Sequence, residues 1–266
     1  MGRSAHHRSR PQAAARLSDT DFLAHLREQL GAEVDGLDLS LRMPAPVSIR
    51  VNRAKWKGPS GQVVPWSTSG FYLAERPAFT FDPLLHAGAY YVQEASSMLL
   101  ERAVAASGYA NERIIALDLC AAPGGKSTHL RSLLHADALV VCNEIDRKRQ
   151  PILQENLWKW GASNTLISGA APEALSALPL FFDLIVVDAP CSGEGMFRKD
   201  EHARAQWSTT LVDRCCTMQR DAVAHAWHGM KPGGVLIYAT CTCETSENEA
   251  QVARLNELGG RCIAIP

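Results

Sequence analysis

Residues 182–195 constrain the fold more than any other part of the sequence. Residues 184–187 form an apolar, β-branched run, which is typical of a strand buried on both faces of a parallel sheet. The run ends at Asp188, and the Ala-Pro-Cys-Ser-Gly-Glu-Gly sequence after it predicts a loop carrying Cys191. An acid and a thiol are therefore expected at the edge where open α/β sheets bind ligands. A buried structural cysteine is the alternative interpretation of Cys191.

Other apolar runs of strand length alternate with helical patterns. We predict strands over residues 114–119, 138–142, 165–167 and 235–239, and the start of a last strand over 262–265. We predict helices over residues 94–106, 126–135, 147–160, 173–178, 211–230 and 248–258, and a turn at Gly233-Gly234. Strands that alternate with helices indicate an α/β fold with a doubly wound, Rossmann-like parallel sheet.

The region before residue 89 has a different pattern. Residues 1–16 are predicted to be a disordered basic arm, residues 17–88 a small α+β module, and residues 89–266 the main domain. In the module we expect a helix from Ser18 to Gly31, strands over 47–52 and 71–73, and alternating apolar residues at Leu37, Leu39 and Leu41. A short strand over residues 90–92 is expected to open the main domain.

Basic residues in the small module lie among aromatic residues. The cluster comprises Arg42, Arg50, Arg53, Lys55 and Lys57, with Trp56 and Trp66. Cations and aromatic rings together suit contacts with phosphates and stacking on bases, which makes this a candidate RNA-binding module. An ordinary solvated face is an equally open interpretation.

Composition limits the partners. The net charge is −1 and the pI about 6.7, so any nucleic-acid-binding charge must be local. No apolar run approaches about 18 residues, so no membrane span is expected. The eight cysteines come without a secretion signal and without zinc-type spacing. They favour a reducing, cytoplasmic location and argue against a metal site.

A glycine pair follows the first strand of the main domain. Gly124 and Gly125 open a predicted helix, where the backbone can approach a ligand closely. Glu144 closes the next strand, a position that suits an acceptor for a ribose diol. A tight turn with a helix cap is the alternative. The loop matches neither a dinucleotide fingerprint nor a P-loop, so S-adenosylmethionine fits better than a nicotinamide or a nucleoside triphosphate.

The thiols separate kinds of methyl transfer. Enzymes that methylate exocyclic amines commonly place an aromatic residue where Cys191 stands, and a thiol suits carbon methylation instead. C5 of cytosine is a poor nucleophile until a thiolate adds at C6. Cys241 ends the strand predicted to neighbour that of Cys191, so both thiols should face one cleft.

Three motifs resemble the signatures of the RNA cytosine-5 methyltransferases of the Nop/Sun family. They are the runs at residues 117–126, 188–200 and 238–242. The Gly-Glu-Gly-Met-Phe-Arg-Lys-Asp extension and the runs at 64–72 and 90–97 are similar to its bacterial RsmF-like ribosomal RNA branch. The resemblance extends from about residue 18 to the C-terminus, and it implies 5-methylcytosine formation in RNA.

The resemblance also implies roles for individual residues. Cys241 would be the nucleophile, Cys191 would assist release of the adduct, Asp188 would contact the cytosine near N3 and the cofactor side, and Lys126 would lie close to the base. S-adenosylmethionine would be held by Cys120, Ala121, Ala122, Pro123, Gly124, Gly125, Lys126, Glu144 and Asp188.

The chain departs from the family pattern in two respects. Residues 168–172 after the third strand lack the acid that often holds the adenine, and the chain stops at Pro266, before the expected C-terminal RNA-binding extension. The expected substrate is ribosomal RNA or a ribosomal subunit. The alternatives are transfer RNA, DNA, or a non-catalytic RNA-binding factor in ribosome assembly.

Overall fold

The computed structural model describes residues 19–161 and 163–266, so the predicted basic arm of residues 1–16 lies outside the described residues. The strands are β1 (Val47–Val51), β2 (Gly70–Leu73), β3 (Tyr90–Val92), β4 (Ile115–Asp118), β5 (Leu139–Asn143), β6 (Thr165–Ser168), β7 (Phe182–Asp188) and β8 (Met230–Ala239). The α-helices are α1 (Asp19–Leu30), α2 (Glu33–Arg42), α3 (Pro83–His86), α4 (Leu100–Ala106), α5 (Gly125–Leu133), α6 (Gln150–Trp160), α7 (Glu201–Gln206), α8 (Thr209–Gly229) and α9 (Glu249–Glu257).

The first three strands form an antiparallel sheet in the order β2-β1-β3. Ile49 of β1 lies opposite Phe71 of β2 on one side and Val92 of β3 on the other. β3 lies beyond residue 88, where we expected the module to end. Its pairing with β1 extends the small sheet to Val92.

Helix α2 replaces the alternating run that we noted at Leu37, Leu39 and Leu41. Val34 and Leu41 are buried, seven residues apart on one helical face, whereas Leu39 is 67% exposed. The buried face joins Phe22 and other residues of α1 in an apolar cluster. Helical spacing therefore decides which leucines enter the core.

The remaining strands form a parallel sheet in the order β6-β5-β4-β7-β8, which confirms the predicted doubly wound α/β fold. Leucines of α4, α5 and α6 pack on one face of this sheet, and Ala222 and Ala226 of α8 pack on the other. The chain runs outward from β4 to β6 and then returns to β7. Residues at the carboxyl ends of β4 and β7 therefore flank the switch point of the sheet.

Two local predictions near the end of the chain are wrong. The predicted turn at Gly233-Gly234 lies inside the continuous strand β8, where the pairing register shifts opposite residues 182–184. Gly233 has a φ of +79°, so the two glycines form an irregularity within the strand and do not end it. Residues 262–265 form no strand, because they gain no hydrogen-bonded neighbour, and Ile263 and Ile265 are about half exposed.

Within the part of the chain that the structure describes, no helix has both the length and the apolar character needed to cross a membrane.

Candidate active site

Polar side chains end neighbouring strands at one edge of the five-stranded sheet. β4 ends at Asp118 and β7 ends at Asp188. β5 ends at Asn143, next to Glu144, and β8 leads into the loop that carries Cys241. All these strands are parallel, so their carboxyl ends meet at the same edge. This is the edge at which open α/β sheets bind their ligands.

The loop between β4 and α5, together with the first two residues of α5, contains the predicted cofactor-binding residues 120–126. We call residues 120–126 the cofactor loop. Gly124 has a φ of +108°, a left-handed conformation that favours glycine, and α5 begins at the next residue. The Ala121 N–H donates to the Asn143 carbonyl at 2.8 Å, which ties the loop to the end of β5. Burial raises the pKa of the Cys120 thiol to about 12, so Cys120 is poorly suited to act as a nucleophile.

Glu144 has an open acceptor at this edge. Its side chain is nearly buried, and Oε1 accepts from the Asp146 N–H at 2.9 Å. Oε2 accepts no hydrogen bond, although an Arg149 guanidinium nitrogen lies 3.3 Å away. Arg149 itself donates to the carbonyl of Ala122 in the cofactor loop. Glu144 therefore retains a charged acceptor beside that loop.

Asp118 is a further acid at this edge that we did not select from the sequence. It is fully buried, and Oδ2 accepts from the Ser127 hydroxyl at 2.6 Å while Oδ1 has no partner. Burial raises the pKa of Asp118 to about 7. The signal was present, because Asp118 ends an apolar strand as Asp188 does.

The two predicted thiols lie together. The sulfur atoms of Cys191 and Cys241 are 3.2 Å apart, and the Cys241 N–H donates to the Cys191 sulfur at 3.3 Å. Both cysteines are free thiols. The hydrogen bond to Cys241, with burial, raises the pKa of Cys191, and the same hydrogen bond lowers the pKa of Cys241. The directions of these two shifts favour Cys241 as the thiolate of the pair and Cys191 as its hydrogen-bond donor.

Lys126 and Asp188 form an ion pair beside the thiols. Lys126 Nζ lies 2.6 Å from Asp188 Oδ2, and both side chains are partly exposed to the cleft. Lys126 comes from the start of α5, and Asp188 from the end of β7. The pair therefore connects the cofactor loop to the strand that leads to Cys191.

A group of buried polar side chains behind Cys191 was also not expected from the sequence. Ser192, Glu194, Gln219 and Glu247 are each less than 5% exposed and bond to one another. They come from two loops and from helix α8, so sequence spacing gave no signal of their meeting.

Arg50 does not belong to an RNA-binding surface, and that part of the prediction is wrong. It is fully buried, donates to Gln93 and to Thr128 of α5 at 2.6 Å each, and lies 4.2 Å from the ring of Trp160. The guanidinium nitrogen that donates to Thr128 also donates to the Gly125 carbonyl, at 3.2 Å. Arg50 thus joins the small sheet to the cofactor loop.

The rest of the basic cluster is only partly available. Arg53 is exposed, but it donates to the Lys57 and Thr68 carbonyls and stacks on Phe71. Lys55 is exposed and donates to two backbone carbonyls, one in α6. Of the remaining members, Arg42 pairs with Asp38, Trp56 packs near Tyr90 and Trp66 donates to Ala95.

The loop after β6, which lacks the expected acid, is tied to the end of β5 by an amide side chain. The Asn143 side chain donates to the Ala170 carbonyl and accepts from the Ala170 N–H, each at 3.0 Å.

Among residues 19–161 and 163–266, no group of three or more His, Cys, Asp or Glu side chains could hold a metal ion.

The chain is similar to curated ribosomal RNA small subunit methyltransferases F. It is 35% identical over 261 residues to that of Aeromonas salmonicida, covering 92% of this chain and 55% of the relative. It is 37% identical to that of Pectobacterium atrosepticum, covering 90% of this chain and 49% of the relative. The chain thus spans about half the length of the curated relatives it matches.

Solved structures share the fold. A methyltransferase homologue from Pyrococcus horikoshii has a TM-score of 0.72 at 26% identity, covering 91% of this chain and 83% of that one. NSun6 from Pyrococcus horikoshii, solved with SFG, has a TM-score of 0.76 at 17% identity, covering 89% and 86%. Residues 107–258 match the model of the 16S rRNA methyltransferase RsmB/F family, and residues 19–95 match the N-terminal domain of 16S rRNA methyltransferase RsmF. With the thiol pair and the acids at one edge of such a sheet, the chain belongs to the RsmB/F family of 16S rRNA methyltransferases.

Proposed function

We propose that the protein methylates C5 of a cytosine in ribosomal RNA, using S-adenosylmethionine and a covalent bond between Cys241 and C6. The observation that supports this most is the thiol pair, in which the sulfur atoms of Cys191 and Cys241 are 3.2 Å apart. A lowered pKa gives Cys241 the thiolate that addition to C6 requires. The target base must leave its stack to reach the cleft.

The residues at the sheet edge fit the cofactor. Oε2 of Glu144, which pairs with Arg149 but accepts no hydrogen bond, would offer an acceptor for a ribose hydroxyl, and the start of α5 after Gly124 would offer backbone N–H groups. Residues 120–126 with Asp188 would complete the site. When bound, S-adenosylmethionine supplies the methyl group as an electrophilic carbon on a sulfonium sulfur.

The side chains of this chain divide the work as follows. The Cys241 thiolate forms a bond to C6, and the ring electrons move to C5, which takes the methyl group. Asp188, held by Lys126, contacts the ring edge near N3. Water in the cleft then takes the C5 proton, the electrons of the C5–H bond form the C5–C6 double bond, and the Cys241–C6 bond breaks to restore the thiolate. Cys191, at 3.2 Å from the departing sulfur, is placed to assist this elimination.

The RNA partner is proposed on the family and on local charge. The N-terminal module remains a candidate RNA-binding element through its exposed cations, although Arg50 is excluded from that role. A substrate in ribosomal RNA would place the activity in the cytoplasm.

Methylation assays decide the substrate. The protein would be incubated with labelled S-adenosylmethionine and with 16S rRNA, assembled small subunits, transfer RNA or DNA, and bisulfite sequencing would locate the modified base. We expect label in ribosomal RNA or its subunit. Label only in transfer RNA or DNA would replace the substrate, and cofactor binding without transfer to any nucleic acid would favour an assembly factor.

The two thiols are separated by a trapping experiment. Cys191→Ala should still bond to RNA but release it slowly, leaving a complex that survives denaturing electrophoresis. Cys241→Ala should leave no such complex. The reverse pattern would exchange the two roles, and full methylation by both variants would exclude the thiol mechanism.

A further inference from the structure

The peptide groups on both sides of Cys191 are held by a buried pair of side chains that the proposed reaction does not use. Gln219 of α8 donates to the Pro190 carbonyl at 2.8 Å. The Ser192 N–H donates to the Glu247 carboxylate at 3.1 Å. Gln219 also donates to Glu247 at 2.6 Å, so the two side chains act as one unit on both flanks of Cys191. We call Ser192, Glu194, Gln219 and Glu247 the carboxyl clamp.

The clamp also reaches the loop of Cys241. The Ser192 hydroxyl lies 3.0 Å from the Thr242 hydroxyl, directly after Cys241. The Gly195 N–H, three residues after Ser192, donates to the Cys241 carbonyl at 2.7 Å. A side chain on Gly195 would lie 2.9 Å from that carbonyl oxygen, so glycine permits this close approach. The contacts fix the two thiol loops against each other.

The clamp contains more acceptors than the serine can satisfy. Ser192 Oγ lies 2.8 Å from a Glu194 oxygen and also bonds to Glu247. One hydroxyl has one proton and cannot donate to both carboxyls. A carboxyl proton must fill the second contact, with Ser192 as its acceptor.

The burial of the two carboxyl groups is a second argument that they share one proton. Glu194 and Glu247 are both fully buried, and their side-chain donors are neutral: Ser192, Gln219 and Trp207, whose ring nitrogen lies 2.6 Å from Glu194. Among the described residues, neither carboxyl forms an ion pair. Two adjacent buried anions without a cation would be strongly disfavoured. One proton shared between the two carboxyls would remove this unfavourable arrangement.

We propose that Glu247, Gln219 and Glu194 are positioning residues, whose shared-proton clamp holds the Cys191 loop at the distance at which Cys191 donates to Cys241. None of the three touches the reacting atoms. They act through the backbone of residues 190–192, and they set how much of Cys241 is thiolate. The consequence for turnover rests on the proposed function, but the effect on the thiol does not.

The test measures the thiol directly. Alkylation of Cys241 by iodoacetamide at pH 7 would be followed peptide by peptide by mass spectrometry, with exposed Cys262 as the internal reference. Glu247→Ala and Gln219→Ala should each slow alkylation of Cys241 by about tenfold, because a rise of one pKa unit removes about nine-tenths of the thiolate. Alkylation of Cys262 should not change.

Two further variants identify the cause. Glu247→Gln should restore most of the rate, because its amide can accept from Gln219 and Ser192 N–H while donating to the Ser192 hydroxyl, as a protonated carboxyl does. Val223→Ala, one turn along α8 in the buried core, should lower stability without slowing Cys241. If Glu247→Ala does not fold, the alkylation rate of Cys241 in Gln219→Ala is the deciding measurement.

Two outcomes would overturn the inference. The first is an alkylation rate of Cys241 in Gln219→Ala that stays within about twofold of wild type. The second is a fall in that rate in Val223→Ala as large as the fall in Gln219→Ala. A Glu247→Gln variant as slow as Glu247→Ala would overturn the shared proton. A slowed thiol in a protein that methylates no RNA would support the clamp and contradict only the proposed function. In an active protein, Gln219→Ala should lower kcat for RNA while leaving KM nearly unchanged.

Discussion

Two regions with buried polar side chains differ in the kind of atom that is left without a hydrogen bond. Along β1, Ser48 donates to the Gln93 carbonyl and Asn52 donates to the Trp160 carbonyl. Arg50 donates from two of its three nitrogens, and its third nitrogen, a donor, has no hydrogen bond. At the sheet edge, Asp118 and Glu144 each keep a buried oxygen without a hydrogen bond. The first region uses its polar groups to join two parts of the chain. The second leaves acceptors open.

This difference separates stabilising groups from binding groups. An internal donor with its partner in place contributes to the free energy of folding, and its loss leaves the partner unsatisfied. An acceptor without a partner costs free energy in the folded protein and gains it only when a ligand arrives. Substitutions along β1 should therefore lower stability, and substitutions at the edge should lower activity or binding.

The largest effect is expected at the thiol. Cys241→Ala should lower methyl transfer at least about 1,000-fold, or about 4 kcal/mol of barrier, because no other thiolate adjoins the base. Stability should stay within about 1 kcal/mol, since Cys241 is exposed. Methyl incorporation and a urea unfolding curve measure the two quantities, with Cys262→Ala as the control. If Cys241→Ala lowered methyl transfer and stability by equal free energies, the distinction between the β1 region and the sheet edge would not hold.

The next effect is expected on stability. Arg50→Ala should lower the free energy of unfolding by about 2–4 kcal/mol, because it leaves a cavity beside Trp160 and unsatisfied acceptors at Thr128 and Gln93. Arg53→Ala, at an exposed position, should change it by less than about 0.5 kcal/mol. Denaturant midpoints measure both. A variant of Arg50 as stable as wild type would show that the buried bonds contribute little.

A smaller effect is expected at the cofactor edge. Glu144→Ala should weaken binding of S-adenosylmethionine by about 1–3 kcal/mol, because a charged acceptor for the ribose is lost. The unfolding free energy should fall by only about 1 kcal/mol, since the side chain loses one hydrogen bond from the Asp146 N–H and an ion pair with the half-exposed Arg149. Calorimetric titration gives the affinity. An unchanged affinity would exclude Glu144 from the site.

The sheet edge could be predicted because backbone topology fixes it. A polar residue at the end of an apolar run, such as Asp188, reaches the same edge whatever the side chains around it do. Parallel neighbours then place Cys191 and Cys241 together. The carboxyl clamp could not be predicted in this way, because Gln219 and Glu247 meet where a loop packs on α8, and no local pattern records that contact.

The fate of β1 could not be predicted from alternation. Its pattern of apolar and polar residues is typical of a half-buried strand, with Ser48, Arg50 and Asn52 on the solvent side. In the structure all three are buried, because the second face of the small sheet packs near α5 and α6. Alternation shows that two faces differ in polarity but does not show what covers the polar face.

The smallest effect concerns the cations that we propose contact RNA. Arg53 and Lys55 donate to backbone carbonyls, so replacing both with alanine should change the slope of log affinity against log salt by less than about 0.7. Arg76 is exposed and, among the described residues, stacks on Phe79 without an ion pair.

Arg76 also interacts electrostatically with Lys199. Burial and then the charge of Arg76 lower the pKa of Lys199, and the charge of Cys241 opposes that change. Arg76→Ala should therefore flatten the salt slope by about 0.7–0.9, the loss of one phosphate contact. Binding to small-subunit RNA at several salt concentrations measures the slopes of both variants. A larger change in the Arg53 and Lys55 double variant than in Arg76→Ala would return the RNA-binding surface to the β1 region, in spite of its internal bonds.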